Sequence, residues 1–288
     1  MKFEDIKTIA VIGSGQMGNG IAQVCAMAGY KVFMEDVDMK FVNNGLATIK
    51  SSLDKLVKKQ KLSQVDADGT FNRIKGTASL KEAIQDSNAD LVIEAIIENP
   101  EIKNKLWSEA NTLAKKETFF ASNTSSISIT MMAAASKRPE KFLGMHFFNP
   151  VPLMELLEIV RGHLTSGETY EIAKKVGEKI GKKIITVNEA PGFAVNRILV
   201  PFLMEAVRAV EEGVCTIEDM DTVCKLGLNH PMGPFALLDY VGLDTTLYIA
   251  DYVYSETGNQ LFKAPNLLRK MVRAGLYGKK SGKGFYKY

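Results

Sequence analysis

Short, β-branched apolar runs alternate with helix-period segments over the first two-thirds of the chain. Residues 8–12, 31–35, 91–95, 118–122, 142–147, 156–160 and 183–187 read as strands, with a weaker one near Ile74. Apolar positions recur at helical spacing over 16–28, 39–59, 101–114, 127–135 and 168–180. Strands alternating with helices predict an α/β fold with a doubly wound, mostly parallel sheet covered on both faces.

Glu189-Ala190-Pro191-Gly192 punctuates the chain, and no convincing strand follows it. Helices are expected at 193–212, 217–226, 233–240, 245–255 and 266–274. The expectation is therefore two domains, 1–188 with the sheet and an all-α domain at 189–288. The 193–212 segment carries Ile198, Leu199, Phe202, Leu203, Ala206 and Val210 and is apolar on most of its circumference. Such a helix needs burial on several sides, and a domain of about a hundred residues has limited interior to offer. Part of this surface is expected to form a homodimer, or a higher homo-oligomer.

Composition narrows the class without naming a chemistry. The chain has 288 residues, 46% hydrophobic and 24% charged, the profile of a globular protein. Lys2, Glu4, Asp5 and Lys7 break up the N-terminus before a signal peptide could form, and the most apolar helix is interrupted by Arg197, Glu205 and Arg208. No membrane span and a cytoplasmic location are expected. Cys25, Cys215 and Cys224 share no metal-type spacing and read as buried thiols. A net charge of +3 is too small to argue for nucleic acid. Lysines nevertheless cluster at 55–61 and 279–287, as a solvated face or as a site for a phosphate-bearing ligand.

Two ionisable residues sit in apolar strand candidates, His146 in Met145-His146-Phe147 and Glu158 in Leu157-Glu158-Ile159. Each is costly to bury unless the other satisfies it. The connection between the strands is too short for a crossover helix, so they should pair antiparallel, and folding back about Pro152 sets 146 opposite 158. A carboxylate on one ring nitrogen would fix the tautomer and leave the other nitrogen as a general base. The same pattern allows a structural histidine, or a Glu158 that tethers Arg161 instead.

The first strand runs into Gly13-Ser14-Gly15-Gln16-Met17-Gly18 and then a helix. Gly13 permits a tight turn, Gly15 lets the backbone approach a pyrophosphate, and Gly18 allows close helix–strand packing, with Gln16 and Met17 opening the helix. The helix N-terminus offers unpaired N–H groups to the phosphates. Asp36 ends the second strand, where an acid would bond ribose hydroxyls and repel a 2′-phosphate. A Rossmann-type NAD site follows, with NADP less favoured, although Lys40 could compensate for the acid.

Further segments matter together: Ser122-Asn123-Thr124-Ser125-Ser126, His146-Phe147-Phe148-Asn149-Pro150 with Glu158, Pro191-Gly192-Phe193-Ala194-Val195-Asn196-Arg197, and Gly278-Lys279-Lys280-Ser281-Gly282-Lys283-Gly284-Phe285-Tyr286. With the glycine turn they resemble the 3-hydroxyacyl-CoA dehydrogenase family over essentially the whole chain, most like its bacterial short-chain 3-hydroxybutyryl-CoA members. The resemblance implies that His146 is the catalytic acid/base with Glu158 its partner, and that Ser125 and Asn196 contact the substrate oxygen and nicotinamide region. It also implies that Glu98, Lys103, Asn123, Asn149 and Lys280 surround the nicotinamide end of NAD, and that Ser52 and Lys59 meet coenzyme A. The activity implied is reversible, NAD-dependent interconversion of (S)-3-hydroxybutyryl-CoA and acetoacetyl-CoA. Alternatives are a dehydrogenase for longer acyl chains, one for a hydroxyacid without coenzyme A, and a non-catalytic NAD-binding protein on the same scaffold. Taken alone, Ser125 could cap a helix and Asn196 could be a satisfied core amide.

Overall fold

The computed structural model describes residues 2–288, and the chain divides into two compact units, the first ending at Glu189 and the second spanning Ala190–Tyr288. In the first unit the elements run β1 (Thr8–Ile12), α1 (Gln16–Met27), β2 (Lys31–Glu35), α2 (Met39–Lys58), α3 (Gln64–Asn72) and β3 (Ile74–Thr77). They continue with β4 (Leu91–Glu94), α4 (Pro100–Leu113), β5 (Phe119–Ser122), α5 (Ile129–Ala135), β6 (Phe142–Phe147), β7 (Leu156–Arg161), α6 (Gly167–Lys179) and β8 (Lys183–Asn188). Among the described residues these eight strands form one sheet in the order β3-β2-β1-β4-β5-β6-β7-β8. Every neighbouring pair is parallel except β6 and β7, so the sheet is Rossmann-like and mostly parallel.

Two consequences place the chemistry. The strand order reverses between β1 and β4, the switch point where open α/β sheets form a crevice beyond their strand ends. Gly13 at the end of β1, Glu94 in β4, Ser122 in β5 and His146 in β6 therefore share one edge of the sheet. The antiparallel β6–β7 pair sets His146 opposite Glu158, the register expected from the short connection about Pro152. Lys182 holds that connection, its ammonium donating to the carbonyls of Val151 at 2.5 Å and Met154 at 2.7 Å. The Asn149–Pro150 peptide bond within it is cis.

One face of the sheet is covered by an apolar core that includes Val11, Ile93, Leu143, Met145, Leu157 and Ile159. Trp107 of α4 packs against Phe120 and Phe142, and the Arg138 guanidinium lies 4.6 Å from the Phe120 ring centre. The expected strands occur within a residue or so of their predicted bounds. Helix α5 starts two residues later than expected because the Ser128 side chain caps it, accepting from the Met131 N–H.

Helix α3 was not expected. It buries only Ala67 and Thr70, so it carries no apolar stripe to announce it. Its one local signal is Ser63, which accepts from the Asp66 N–H at its start.

The second unit contains α7 (Val195–Glu211), α8 (Ile217–Gly227), α9 (Pro234–Val241), α10 (Leu243–Thr257) and α11 (Asn266–Arg273). Val200, Leu203, Met204 and Val207 of α7 are buried with Phe235, Leu238, Leu243 and Val253. Ile198 on the same helix is 75% exposed, so the chain itself buries α7 on fewer sides than its apolar circumference suggests. The thiol reading also needs correction: Cys25 and Cys224 are buried, but Cys215 is only half-buried, because it lies in the connection before α8. Among the described residues no helix is long and apolar enough to cross a membrane.

Candidate active site

The centre of the site is a chain of three side chains in the first unit. Glu158, fully buried on β7, accepts from Nδ1 of His146 at 2.5 Å. On the other side of the ring, Nε2 lies 3.1 Å from the Ser125 hydroxyl oxygen. With Nδ1–H donating to the carboxylate, Nε2 is left as the acceptor and Ser125 as its donor. The bond to Glu158 sets aside the alternative in which that acid tethers Arg161; the Arg161 guanidinium donates instead to the Thr165 carbonyl. Ser125 is likewise not the helix cap. Ser128 has that place, and Glu189 fastens the same turn by accepting from the Ser128 hydroxyl at 2.6 Å and the Thr130 N–H at 3.0 Å.

Ser125 is positioned from behind. Its N–H donates to Glu98 Oε1 at 3.0 Å, and the same oxygen accepts from the hydroxyls of Thr124 and of Ser126, the latter at 3.4 Å. The other Glu98 oxygen lies 3.2 Å from the Lys103 ammonium. Lys103 is itself buried and makes a closer bond to Glu94, an acid with no exposed surface. Burial pulls the Lys103 ammonium down, and the facing carboxylates of Glu94 and Glu98 raise it by more, so it stays charged. Glu94 is a residue that sequence reasoning passed over. Its only signal is an acid ending the apolar run Leu91-Val92-Ile93, the same anomaly that drew attention to Glu158. Asn123 ties β4 to β6, donating its N–H to the Glu94 carbonyl at 2.8 Å and accepting from the Phe147 N–H at 2.9 Å. Asn149 is half-buried in the connection that follows His146 and Phe148.

The glycine turn fits a dinucleotide. Gly13 has φ +98°, and a methyl group on it would lie 2.5 Å from the Ala95 carbonyl oxygen. One on Gly18 would lie 1.8 Å from the Gly13 oxygen, so helix and strand could not approach. A methyl on Gly15 would meet nothing within 4 Å, which leaves room for a phosphate at that position. Gly15 also caps α1 without a side chain, leaving the N–H groups of Gln16, Met17 and Gly18 in the helix's uncapped first turn. Asp36 is fixed against the turn. One carboxylate oxygen accepts from the Ser14 N–H and hydroxyl, both at 2.8 Å, and the other from the Val37 N–H at 2.8 Å. Beside it Glu35 is buried, and that burial, with the charges of Asp36 and then Glu109, pushes its carboxyl up from an ordinary 4.5 to about 7.

On α2, Ser52 is half-buried and Lys59 exposed just past the helix end. Seven residues apart, they share a face with Lys55, and Lys58 points aside.

Asn196 and Lys280 belong to the helical unit. Asn196 is buried in the first turn of α7. Lys280 faces Asp244 at 2.5 Å and the Thr245 hydroxyl at 3.2 Å. The C-terminal motif that carries it is locked by two buried acids absent from the sequence reading. Asp239 accepts from the N–H groups of Phe285 and Tyr286, and Asp221 from the Tyr286 hydroxyl. Burial and the Asp221 carboxylate together push the Tyr286 phenol well above its ordinary value.

The chain matches two family models, that of the 3-hydroxyacyl-CoA dehydrogenase NAD binding domain over residues 8–190 and that of the 3-hydroxyacyl-CoA dehydrogenase C-terminal domain over 192–288. It is 50% identical over 279 residues to a probable 3-hydroxybutyryl-CoA dehydrogenase of Deinococcus radiodurans, covering 96% of this chain and 99% of that one. It is 43% identical over 289 residues to the human mitochondrial hydroxyacyl-coenzyme A dehydrogenase, covering 98% and 91%. Among solved structures, the (S)-3-hydroxybutyryl-CoA dehydrogenase of Ralstonia eutropha superposes with a TM-score of 0.93 at 44% identity, covering 99% of both chains.

Proposed function

Since the chain belongs to the 3-hydroxyacyl-CoA dehydrogenase family, we propose that it interconverts (S)-3-hydroxybutyryl-CoA and acetoacetyl-CoA, with NAD rather than NADP and with His146 as the acid/base. The observation that carries this reading is the unbroken Glu158–His146–Ser125 chain at the edge of the sheet where the glycine turn also lies. Gly13, Gly15, Gln16, Met17, Gly18 and Asp36 would hold the dinucleotide, with Glu98, Lys103, Asn123, Asn149 and Lys280 toward its nicotinamide end. When bound there, NAD would supply the hydride acceptor for the substrate carbon, and NADH the donor in the reverse direction.

Oxidising a secondary alcohol also requires that its hydroxyl proton leave. Nε2 of His146 takes that proton, and Glu158 stabilises the imidazolium that results. In reduction the same imidazolium protonates the nascent alkoxide. Ser125 donates a hydrogen bond to the substrate oxygen, fixing its orientation and spreading its developing charge, and Asn196 is given a part in substrate binding by the family resemblance alone. Ser52 and Lys59, with Lys55 on the same face, meet the phosphates of coenzyme A, where flexible ammonium groups serve as point charges. Asp36, fixed beside the turn by Ser14, selects against a 2′-phosphate through the repulsion of its negative charge. The exposed Ile198, with Val223 and Leu226 of the same unit, supports a homodimer through the helical unit; a monomer by sedimentation at micromolar concentration would refute it.

The test is turnover of acetoacetyl-CoA with NADH and NADPH side by side, in the wild type and in His146→Ala. The variant should lose at least about a hundredfold in kcat, the lower end of what general acid–base catalysis supplies. Its NADH affinity should stay near wild type. Equal loss of both would make the histidine structural, and NADH binding with no oxidation in the wild type would favour a non-catalytic protein.

A further inference from the structure

The proposed chemistry uses Ser125 but not the ion cluster behind it. Three charges lie in sequence there: Glu94, Lys103 and Glu98, two acids around one ammonium. The ammonium is not shared evenly. It makes its close contact with the fully buried Glu94, and Glu98 stands at 3.2 Å. The consequence falls on Glu98. Its second oxygen faces three donors of the loop after β5, the Thr124 and Ser126 hydroxyls and the Ser125 N–H. A carboxylate gripped closely by an ammonium would be drawn toward it, and away from that loop.

We infer that Glu94 is a positioning residue for the dehydrogenase reaction: by engaging the Lys103 ammonium it frees Glu98 to hold Ser125 against His146. This rests on the catalytic reading of Ser125. Glu94 touches neither Ser125 nor the ring; its charge reaches them through Lys103 and Glu98, and its bond to the Ser122 hydroxyl, which accepts from the Thr124 N–H at 3.2 Å, steadies the same loop. It also accepts from the Ile96 N–H at 2.8 Å and the Ser122 hydroxyl at 2.6 Å, which fixes where its carboxylate sits. With glutamine at 94 the charge is lost while the length and one acceptor oxygen remain. Lys103 and Glu98 then form a neutral pair of their own, so no buried charge is stranded. The ammonium closes on Glu98, and the Ser125 N–H loses its partner.

The experiment is a cycle of Glu94→Gln and Ser125→Ala, read as kcat and KM for acetoacetyl-CoA, NADH affinity by fluorescence titration, and melting temperature. Glu94→Gln should lower kcat about tenfold, the equivalent of one ordinary hydrogen bond's worth of transition-state energy. The loss should appear in kcat at saturating NADH, because Lys103 and Glu98 are themselves placed toward the nicotinamide and the coenzyme affinity shifts with them. In the Ser125→Ala background the same change should cost less than about twofold, because paths that share a step are not additive. Glu94→Asp keeps the charge and should retain more activity than Glu94→Gln. Wild-type kcat in Glu94→Gln, an equal loss in both backgrounds, or an aspartate variant slower than the glutamine one overturns the inference. If Glu94→Gln does not fold, the cycle is run with Glu94→Asp, whose shorter reach loosens the grip on Lys103. A loss seen only with Ser125 present then supports the inference, and a loss in both backgrounds overturns it. Unchanged turnover in Ser125→Ala overturns the catalytic reading and this inference with it. That result is distinct from a slow Ser125→Ala on which the Glu94 loss simply multiplies.

Discussion

Replacing Glu158 with glutamine isolates the charge on His146 from everything else the acid does. Glutamine has the same length, and its carbonyl oxygen can still accept the Nδ1 proton, so the tautomer and ring orientation survive. The negative charge beside the ring does not. That charge is fully buried and 2.5 Å from Nδ1, so no solvent screens it. Hydrogen bonds to charged groups contribute about 1.5–3 kcal/mol, against about 1 for neutral ones. Loss of the charge-assisted part, about 0.5–2 kcal/mol, should therefore slow proton transfer roughly 2- to 30-fold, at about 1.4 kcal/mol per factor of ten. No variant can alter the overall equilibrium, so kcat/KM must fall by the same factor for oxidation of the hydroxy thioester and reduction of the keto thioester. The assay is NADH absorbance in both directions, repeated with substrate deuterated at the carbon that gives up hydride. A kcat within twofold of wild type would mean that the charge on Glu158 takes no part in the reaction. A loss matched by weaker NADH binding and a lower melting temperature would make the acid a structural strut.

Glu35 offers a test of electrostatics apart from turnover. Its carboxyl titrates near 4.5 in the unfolded chain and at about 7 in the folded one, so at pH below 4.5 both states hold the proton and the site costs nothing. As pH rises from 4.5 to 7 the unfolded state loses its proton first and stability falls, reaching a constant deficit of about 3 kcal/mol above that window. Glu35→Gln should thus raise the melting temperature at pH 8 by about 5 °C or more and leave it unchanged near pH 4.5; an equal gain at both values would refute the buried-acid account. Lys59→Ala should raise KM for the acyl-CoA roughly two- to fivefold, as loss of one exposed charge contact allows, with KM for NADH unaffected. The reverse pattern would remove Lys59 from the coenzyme A site.

What could be read in advance follows from how far each feature depends on long-range geometry. His146 and Glu158 were legible as a pair because a short connection admits one antiparallel register, and that register alone satisfies both. The glycine turn was legible because its demands are local: Gly13 takes a φ of +98°, and a methyl on Gly18 would stand on the Gly13 carbonyl oxygen. The Glu94–Lys103–Glu98 cluster was not. Its members come from a strand end, a loop and a helix, and reach Ser125 only after β4 and β5 pair across a crossover. Asp221 and Asp239 hid for the same reason, since each is an acid on a helix until the C-terminal strands of loop fold back onto it. Helix α3 escaped for the opposite reason: it contributes so little to the core that no periodicity marks it.

Two fully buried acids, Glu158 beside His146 and Glu94 beside Lys103, flank the proposed site, and on that reading the nature of their partners would divide their work. An acid facing an imidazole meets a group whose charge changes during each turnover, so its interaction energy differs between ground state and transition state. That difference acts on the rate itself. An acid facing an ammonium meets a constant charge, and its interaction is the same throughout the cycle. It can alter the rate only by setting where other groups stand. Neutralising Glu158 should therefore slow the enzyme even with every atom in place, whereas neutralising Glu94 should slow it only through the displacement of Ser125. A structure of the Glu94→Gln variant that kept the 3.1 Å separation of Ser125 from His146 while turnover fell would contradict that division.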